Sequence, residues 1–169
     1  MMTAQQRRFL GILLEELSVP QRAGVTTREA VAALLAVEER LTKVGVRSRV
    51  NLVKGNFYTD PLPKGCDLAW VSAIVHQNSR QQNRQLFRKI YRALDAGGRI
   101  AIRDILMEES RTAPISGALF AVNMLVGTEG GGTFTFAELR DDLKAAGFVG
   151  AKVVRQDAGM NAVVVATKR

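Results

Sequence analysis

The segment Asp67-Leu-Ala-Trp-Val-Ser-Ala-Ile-Val-His76 is an almost continuous apolar run that ends at the only histidine of the chain. A second apolar run, Arg99-Ile-Ala-Ile-Arg-Asp104, ends at an aspartate. Runs of this kind are typical of parallel strands that are covered on both faces. If the two strands are parallel neighbours, His76 and Asp104 meet at the sheet edge where open α/β sheets bind ligands. The pattern therefore predicts an α/β fold with an enzyme site at this pair.

The residues between the two runs predict a crossover helix. Ser79 and Gln82 have the spacing of a capping box, and the apolar residues from Leu86 to Leu94 recur on one helical face. Gly97 and Gly98 are expected to end this helix. A strand, a helix and a second strand in this order form a βαβ unit, whose two strands must be parallel.

Before this unit, the sequence predicts mainly helix. The Thr26–Glu29 capping box opens a helix that should run to about Val44, and an alternating strand is expected at Arg49–Lys54. We read Phe9–Leu14 as part of an amphipathic helix, because Glu15 and Glu16 follow where a signal peptide would be cleaved. Residues 1–37 are thus expected to be a helical segment of unclear role.

After the βαβ unit, the pattern predicts two more helices and a final pair of strands. The connection between the last two strands is short, so they should be antiparallel. The predicted elements are a helix at about Ile115–Val126, a glycine-rich loop at Gly127–Gly132, a helix that starts at the Thr135–Glu138 capping box, and strands at Ala151–Arg155 and Asn161–Thr167.

The composition is that of a globular chain of 169 residues with 47% hydrophobic residues. No apolar run approaches the roughly 20 residues of a membrane-spanning helix, and we expect a cytoplasmic protein without a membrane partner. The single cysteine, Cys66, gives neither a disulfide nor a cluster of metal ligands, so no metal site is expected. The net charge of +8 leaves nucleic-acid binding as a lesser alternative, without a recognisable binding motif behind it.

Six segments occur in an order and spacing similar to those of one enzyme family. They are Gly55–Phe57, Asp67–His76, Ala93–Arg99, Arg103–Leu106, Asn123–Leu125 and Gly130–Phe136. From about Glu38 onward the chain resembles the C-terminal part of class I S-adenosylmethionine-dependent O-methyltransferases, the family that includes acetylserotonin, caffeate and hydroxyneurosporene methyltransferases. The resemblance implies a partial methyltransferase domain at residues 38–169, with an incomplete Rossmann-like sheet made of a parallel βαβ core and a C-terminal antiparallel strand pair.

The resemblance also implies the chemistry. S-adenosyl-L-methionine would be the cofactor, and a small hydroxylated molecule would accept the methyl group. His76 stands where the family has its general base, and an imidazole suits that role because its ordinary pKa is near neutrality. Asp104 matches the acid that orients the base. Thr133 replaces a second glutamate of plant members, and we infer that Glu129 could substitute for it.

Other positions match the family's binding residues. The cofactor would be held by Gly55, Asn56, Phe57 and Ser72, and the acceptor by Asn123 and Met124.

Departures from the family limit what the resemblance implies. The sequence has no G-x-G-x-G turn after a strand, although that turn lets the backbone approach the cofactor closely, and no N-terminal dimerisation domain. Asn56 replaces an aspartate, and Gln77-Asn78 replaces Asp-Trp after the histidine. A non-catalytic remnant that serves as an interaction module therefore stays open as an alternative, and so does a homodimer.

Overall fold

The computed structural model describes residues 9–13, 27–53, 55–157 and 162–169. The chain divides into two compact units: Glu15–Asn56 forms one, and Met1–Leu14 together with Phe57–Arg169 forms the other. None of the helices within the described ranges is both long enough and apolar enough to cross a membrane.

In its described residues, 27–53, 55 and 56, the smaller unit contains one helix and a short turn. Helix α1 (Thr27–Lys43) ends before Gly45, whose φ of +71° is the left-handed conformation typical of a residue that terminates a helix. A single 3-10 turn follows at Arg47–Arg49. The strand predicted at Arg49–Lys54 is wrong, because residues 50–53 belong to neither a strand nor a helix. Alternating polarity makes a strand only where a sheet edge is available for pairing.

The larger unit is built on a five-stranded sheet with the order β1-β2-β3-β7-β6. The strands are β1 (Phe9–Leu13), β2 (Cys66–Ser72), β3 (Leu94–Asp104), β6 (Phe148–Arg155) and β7 (Ala162–Lys168). Strands β1, β2 and β3 are parallel, whereas β7 is antiparallel to both β3 and β6. The predicted parallel core and C-terminal antiparallel pair are therefore confirmed.

Strand β1 contradicts the amphipathic helix expected near the start of the chain. Phe9–Leu13 pairs in register with Leu68–Ser72 of β2. Pairing with an otherwise free edge satisfies the backbone of both segments, so the tertiary environment outweighs the local helical pattern. Strand β3 also begins earlier than expected, at Leu94, because the helix before it ends at Ala93 and not at the glycines.

The described residues of this unit also form three α-helices and a small second sheet. Helix α2 (Arg80–Ala93) and helix α4 (Phe136–Ala145) both begin with the predicted capping boxes, and each box forms both of its hydrogen bonds. Helix α3 (Ile115–Gly127) lies between them in the chain. Strands β4 (Leu106–Met107) and β5 (Phe134–Thr135) form a short parallel pair.

Helices α2 and α4 cover the same face of the sheet. Their apolar residues form one core with the inward residues of β2, β3 and β7; the fully buried members include Val71, Phe87, Ile90, Ile102, Leu139, Leu143 and Val164. The carboxylate of Asp142 on α4 accepts hydrogen bonds from Arg80 and Arg84 on α2 at 2.6–3.0 Å. The hydrogen bond to Asp142 raises the pKa of Arg80. Four arginines recur every four residues along α2, from Arg80 to Arg92, and two of them, Arg80 and Arg84, are therefore engaged within the fold.

Candidate active site

His76 lies just beyond the carboxyl end of β2, on a separate turn. The strand itself ends at Ser72, four residues earlier than a strand running to the histidine would require. Ala73 has a φ of +56°, which breaks the extended conformation, and Val75–Gln77 forms a 3-10 turn. The turn leaves the His76 side chain buried, with a relative exposure of 8%.

Asp104 is the last residue of β3, next to this turn. One carboxylate oxygen lies 2.8 Å from His76 Nδ1 and accepts a second hydrogen bond from the backbone N–H of Ile105 at 2.8 Å. The other oxygen accepts from the backbone N–H of His76 at 3.3 Å. Three donors thus fix the carboxylate, and the convergence predicted from the two apolar runs is confirmed.

The second ring nitrogen of His76 is left available. An ionised carboxylate can only accept hydrogen bonds, so the proton of a neutral His76 belongs on Nδ1 and the lone pair on Nε2. Every enclosed polar side-chain atom in the described part of the chain has a hydrogen-bond partner. Nε2 of His76 has no hydrogen-bond partner among the described residues, so it is one of the atoms of this side chain that keep some exposure. The Phe120 ring packs edge-on against the imidazole at 4.9 Å between ring centres.

The glycine-rich loop after α3 lies against the backbone of His76. The N–H of Gly132 donates to the carbonyl oxygen of His76 at 2.8 Å. At Gly131 a Cβ atom would approach the same oxygen to 2.5 Å, so only glycine fits without displacement. Thr128 holds the start of the loop, since its hydroxyl donates to Met124 at 2.7 Å and accepts from the N–H of Gly131 at 2.8 Å.

The other predicted catalytic and acceptor residues are more exposed. Glu129 lies in the glycine-rich loop with an exposed side chain, and it forms no hydrogen bond or ion pair with the described residues. Its proposed role beside His76 stays a prediction. Met124 is half-buried on α3 and Asn123 is exposed. Thr133, by contrast, is buried.

The predicted cofactor residues fall into two groups. Gly55 and Asn56 belong to the smaller unit and are exposed. Ser72 and Phe57 belong to the larger unit. The buried Ser72 hydroxyl accepts a hydrogen bond from Arg103 at 3.1 Å, and the half-buried Phe57 packs at the margin of the core.

A chain of buried amides behind the His76 turn was not foreseen from the sequence. The hydroxyl of Tyr58 donates to the side-chain oxygen of Asn78, and burial raises the pKa of Tyr58. The Asn78 amide donates to Asn83 at 3.0 Å, and the Asn83 amide donates to the carbonyl of Val75 at 3.0 Å. The sequence signal nearest to these contacts is the unusual Gln77-Asn78 pair after the histidine, which does not by itself indicate their partners.

A family match agrees with this arrangement of strands and side chains. The family model described as the O-methyltransferase domain matches residues 30–149. The chain belongs to the O-methyltransferase family. It is 36% identical over 131 residues to the 3-hydroxy-5-methyl-1-naphthoate 3-O-methyltransferase of Streptomyces sahachiroi, an alignment that covers 77% of this chain and 38% of that enzyme. It is 33% identical over 140 residues to the acetylserotonin O-methyltransferase of Gallus gallus, covering 83% and 40%.

Solved O-methyltransferases share the fold. Human N-acetylserotonin methyltransferase in complex with SAM superposes with a TM-score of 0.67 at 27% identity, over 72% of this chain and 34% of that one. The chain spans about two fifths of the length of the two curated relatives named above.

Proposed function

We propose that the chain contributes the acid–base half of an S-adenosylmethionine-dependent O-methyltransferase that acts on a small hydroxylated molecule. The main support for this proposal is the pair of His76 and Asp104. One imidazole nitrogen is held by the carboxylate, and the other stays accessible. That arrangement suits a general base for a substrate hydroxyl.

The protein's own part in the reaction is to take and hold a proton. Nε2 of His76 accepts the proton of the acceptor hydroxyl, and Asp104 stabilises the positive ring through the hydrogen bond at Nδ1. The Phe120 ring, which packs nearly perpendicular to the imidazole, restricts rotation of the His76 ring. Glu129, in the neighbouring loop, is proposed as a second acid that reaches this site. When bound, the cofactor supplies an electrophilic methyl group.

The residues present fit the cofactor only in part. Phe57 offers an apolar surface, and the Ser72 hydroxyl is directed by Arg103. The three glycines whose Cβ positions are closest to other atoms, Gly98, Gly117 and Gly131, face protein atoms. We therefore propose Gly55, Asn56, Phe57 and Ser72 as contributors to cofactor binding, with Asn123 and Met124 as acceptor contacts.

Calorimetric titration with S-adenosylmethionine tests the cofactor directly, and His76→Ala tests the base. We expect cofactor binding in both proteins, with turnover of the variant reduced at least ~100-fold because the hydroxyl proton has no acceptor. Gln81→Ala, an exposed change on the neighbouring helix, is the matched control. Equal turnover in the histidine variant and the control would show that His76 is not the base. A titration that gives no heat of binding at millimolar cofactor would contradict the proposed function.

The names of the relatives suggest acceptors to test. One relative is named for a hydroxynaphthoate and another for acetylserotonin, both small hydroxylated aromatic compounds. We propose an acceptor of this class and not a macromolecule. A panel of hydroxyarenes assayed with radiolabelled cofactor would identify it, and NMR of the product would show whether oxygen carries the new methyl group.

A non-catalytic interaction module is the second candidate, and helix α3 favours it. Five large apolar side chains on this helix are 57–84% exposed: Ile115, Leu119, Val122, Leu125 and Val126. Exposed apolar patches of this kind mark interaction surfaces. We propose a homodimer as the form that buries them. The engagement of Arg80 and Arg84 by Asp142 supports our further proposal that nucleic acid is not a partner.

The location and the domain division stay proposals as well. We propose a cytoplasmic protein with a partial methyltransferase domain at residues 38–169, and a leading segment at residues 1–37 that adds strand β1 to the sheet of that domain. Fractionation of the native host would test the location.

A further inference from the structure

We propose that Tyr58 and Asn78 are positioning residues that couple the loop at Phe57 to the turn that carries His76. The inference rests on the proposed function, because Phe57 is assigned there to the cofactor and His76 to the proton transfer. Neither Tyr58 nor Asn78 would touch the reacting atoms. They would act by setting where the imidazole points.

The His76 turn is held from behind by amide side chains. Asn83 is fully buried on α2 and donates to the carbonyl of Val75, the residue before His76, at 3.0 Å. Asn78 is 1% exposed, and its amide nitrogen donates to Asn83 at 3.0 Å. Buried amides that are fully hydrogen-bonded specify one arrangement, because any other would leave a polar group unsatisfied.

The side-chain oxygen of Asn78 accepts its hydrogen bond from the loop that contains Phe57 and Tyr58. The Tyr58 hydroxyl donates to the Asn78 side-chain oxygen. The rings of Tyr58 and Phe57 are 4.2 Å apart between centres, so a ligand that displaces Phe57 would also move the Tyr58 ring. The hydroxyl end of Tyr58 then transmits the displacement to Asn78 and to the His76 turn.

The loop itself is fixed at both ends of this contact. Lys89 on α2 donates to the carbonyl oxygens of Phe57 and Asp60, each at 2.6 Å. A loop anchored on the same helix that carries Asn83 cannot drift away from the turn. The fold thereby maintains the distance between the Tyr58 hydroxyl and Asn78. A small displacement of the Tyr58 ring therefore also displaces the Asn78 side chain.

Two features of the sequence make this proposal testable by NMR. His76 is the only histidine, so its imidazole nitrogens give a single, unambiguous set of signals. The chain has only two tyrosines, and Tyr91 bonds instead to the carbonyl of Arg169 at 3.4 Å. Tyr91→Phe is therefore a control for Tyr58→Phe, because it also removes one phenolic hydroxyl but at a site away from the His76 turn.

We expect the ligand-free wild type to show the Nδ1–H tautomer, and Tyr58→Phe to shift the imidazole signals toward a mixture of both tautomers. Hydrogen exchange at the N–H groups of Gln77 and Asn78, which close the turn, should accelerate about fivefold, as expected for the loss of one hydrogen bond. Tyr91→Phe should change neither quantity. Unaltered imidazole signals and exchange rates in a folded Tyr58→Phe protein would overturn the proposal.

Addition of S-adenosylhomocysteine separates this proposal from the proposed function. We expect it to shift the His76 signals in the wild type and in Tyr91→Phe, and to bind Tyr58→Phe without that shift. An equal shift in Tyr58→Phe would refute the coupling. If the ligand does not bind the wild type, the proposed function fails, and the ligand-free comparison still decides whether Tyr58 orients His76.

Discussion

At the scale of single residues, Asp104 carries more contacts than an orienting role alone requires. Its two oxygens accept from the imidazole of His76, from the backbone N–H of His76 and from the N–H of Ile105. The carboxylate thus joins the end of β3 to the turn after β2. Loss of one oxygen should affect both the geometry of the base and the stability of the sheet edge.

We expect Asp104→Asn to lower turnover by about 100-fold and the free energy of unfolding by about 1–3 kcal/mol. An amide has one accepting oxygen, so at least one buried N–H group loses its partner, and the wrong tautomer of the imidazole becomes available. Urea denaturation and initial-rate kinetics measure the two effects. Asp95→Asn, at an exposed position of β3, should leave both unchanged. Wild-type kinetics in Asp104→Asn would contradict the orienting role.

Tyr58 predicts a pH dependence of stability at alkaline pH. Tyr58 is 42% exposed, and its partial burial raises its pKa in the folded state. The folded chain therefore keeps the phenolic proton at a pH where the unfolded chain, with a tyrosine pKa of about 10, has lost it. The stabilisation is complete below that value and is lost as the pH rises through the folded pKa. The free energy of unfolding should therefore fall less steeply above pH ~10 in Tyr58→Phe than in Tyr91→Phe. Identical slopes would show that the Tyr58 hydroxyl is not shielded.

At the scale of elements, the capping boxes were good guides to where helices begin, whereas the limits of strands and the helix end predicted at Gly97 and Gly98 were not. The boxes at Ser79 and Thr135 place α2 and α4 because they involve neighbours three residues apart. Strand assignments depend on which distant segment offers an edge. For that reason the helix predicted at Phe9–Leu13 and the strand predicted at Arg49–Lys54 are both wrong.

The glycine-rich loop shows the same limit within the site. Its position against the His76 carbonyl follows from a close approach at Gly131 that no local pattern encodes. The meeting of His76 and Asp104 could be predicted because parallel neighbours place their ends at one edge. The contacts of Tyr58, Asn78 and Asn83 could not, since they join a loop, a turn and a helix.

We expect Gly131→Ala to weaken the bond from the Gly132 N–H to His76 and to reduce the free energy of unfolding by about 1–3 kcal/mol. The added methyl group would collide with the His76 carbonyl, which belongs to the backbone and cannot rotate away. Gly132→Ala is the matched control, because no atom lies within 4 Å of its Cβ position. Urea denaturation would measure both variants, and equal stabilities would refute the close approach.

At the scale of the whole molecule, helix α3 presents several apolar side chains to solvent. Gly117 faces Met107 and Ile105, which fixes the helix with its apolar residues outward. Its residues from Ile115 to Gly127 include no charged side chain, so two copies with a net charge of +8 each can approach there without placing like charges together. A twofold contact between two such helices would be self-complementary.

We expect Leu119→Lys to raise the concentration at which the chain dimerises by at least ~10-fold, because an unpaired ammonium would be buried in an apolar contact. Val44→Lys adds the same charge at a position that is 69% exposed in the smaller unit and should have no effect. Sedimentation velocity across a concentration series measures both. A wild type that stays monomeric throughout would exclude α3 as a dimer contact.

The sheet order has a consequence for biosynthesis. Strand β7 is inserted between β3 and β6, so it occupies an interior place although it follows both of them in the chain. While the ribosome is still making it, β3 and β6 each present an open edge that invites pairing with other nascent chains. Premature stop codons before Ala162 should therefore yield aggregates and not shortened soluble proteins.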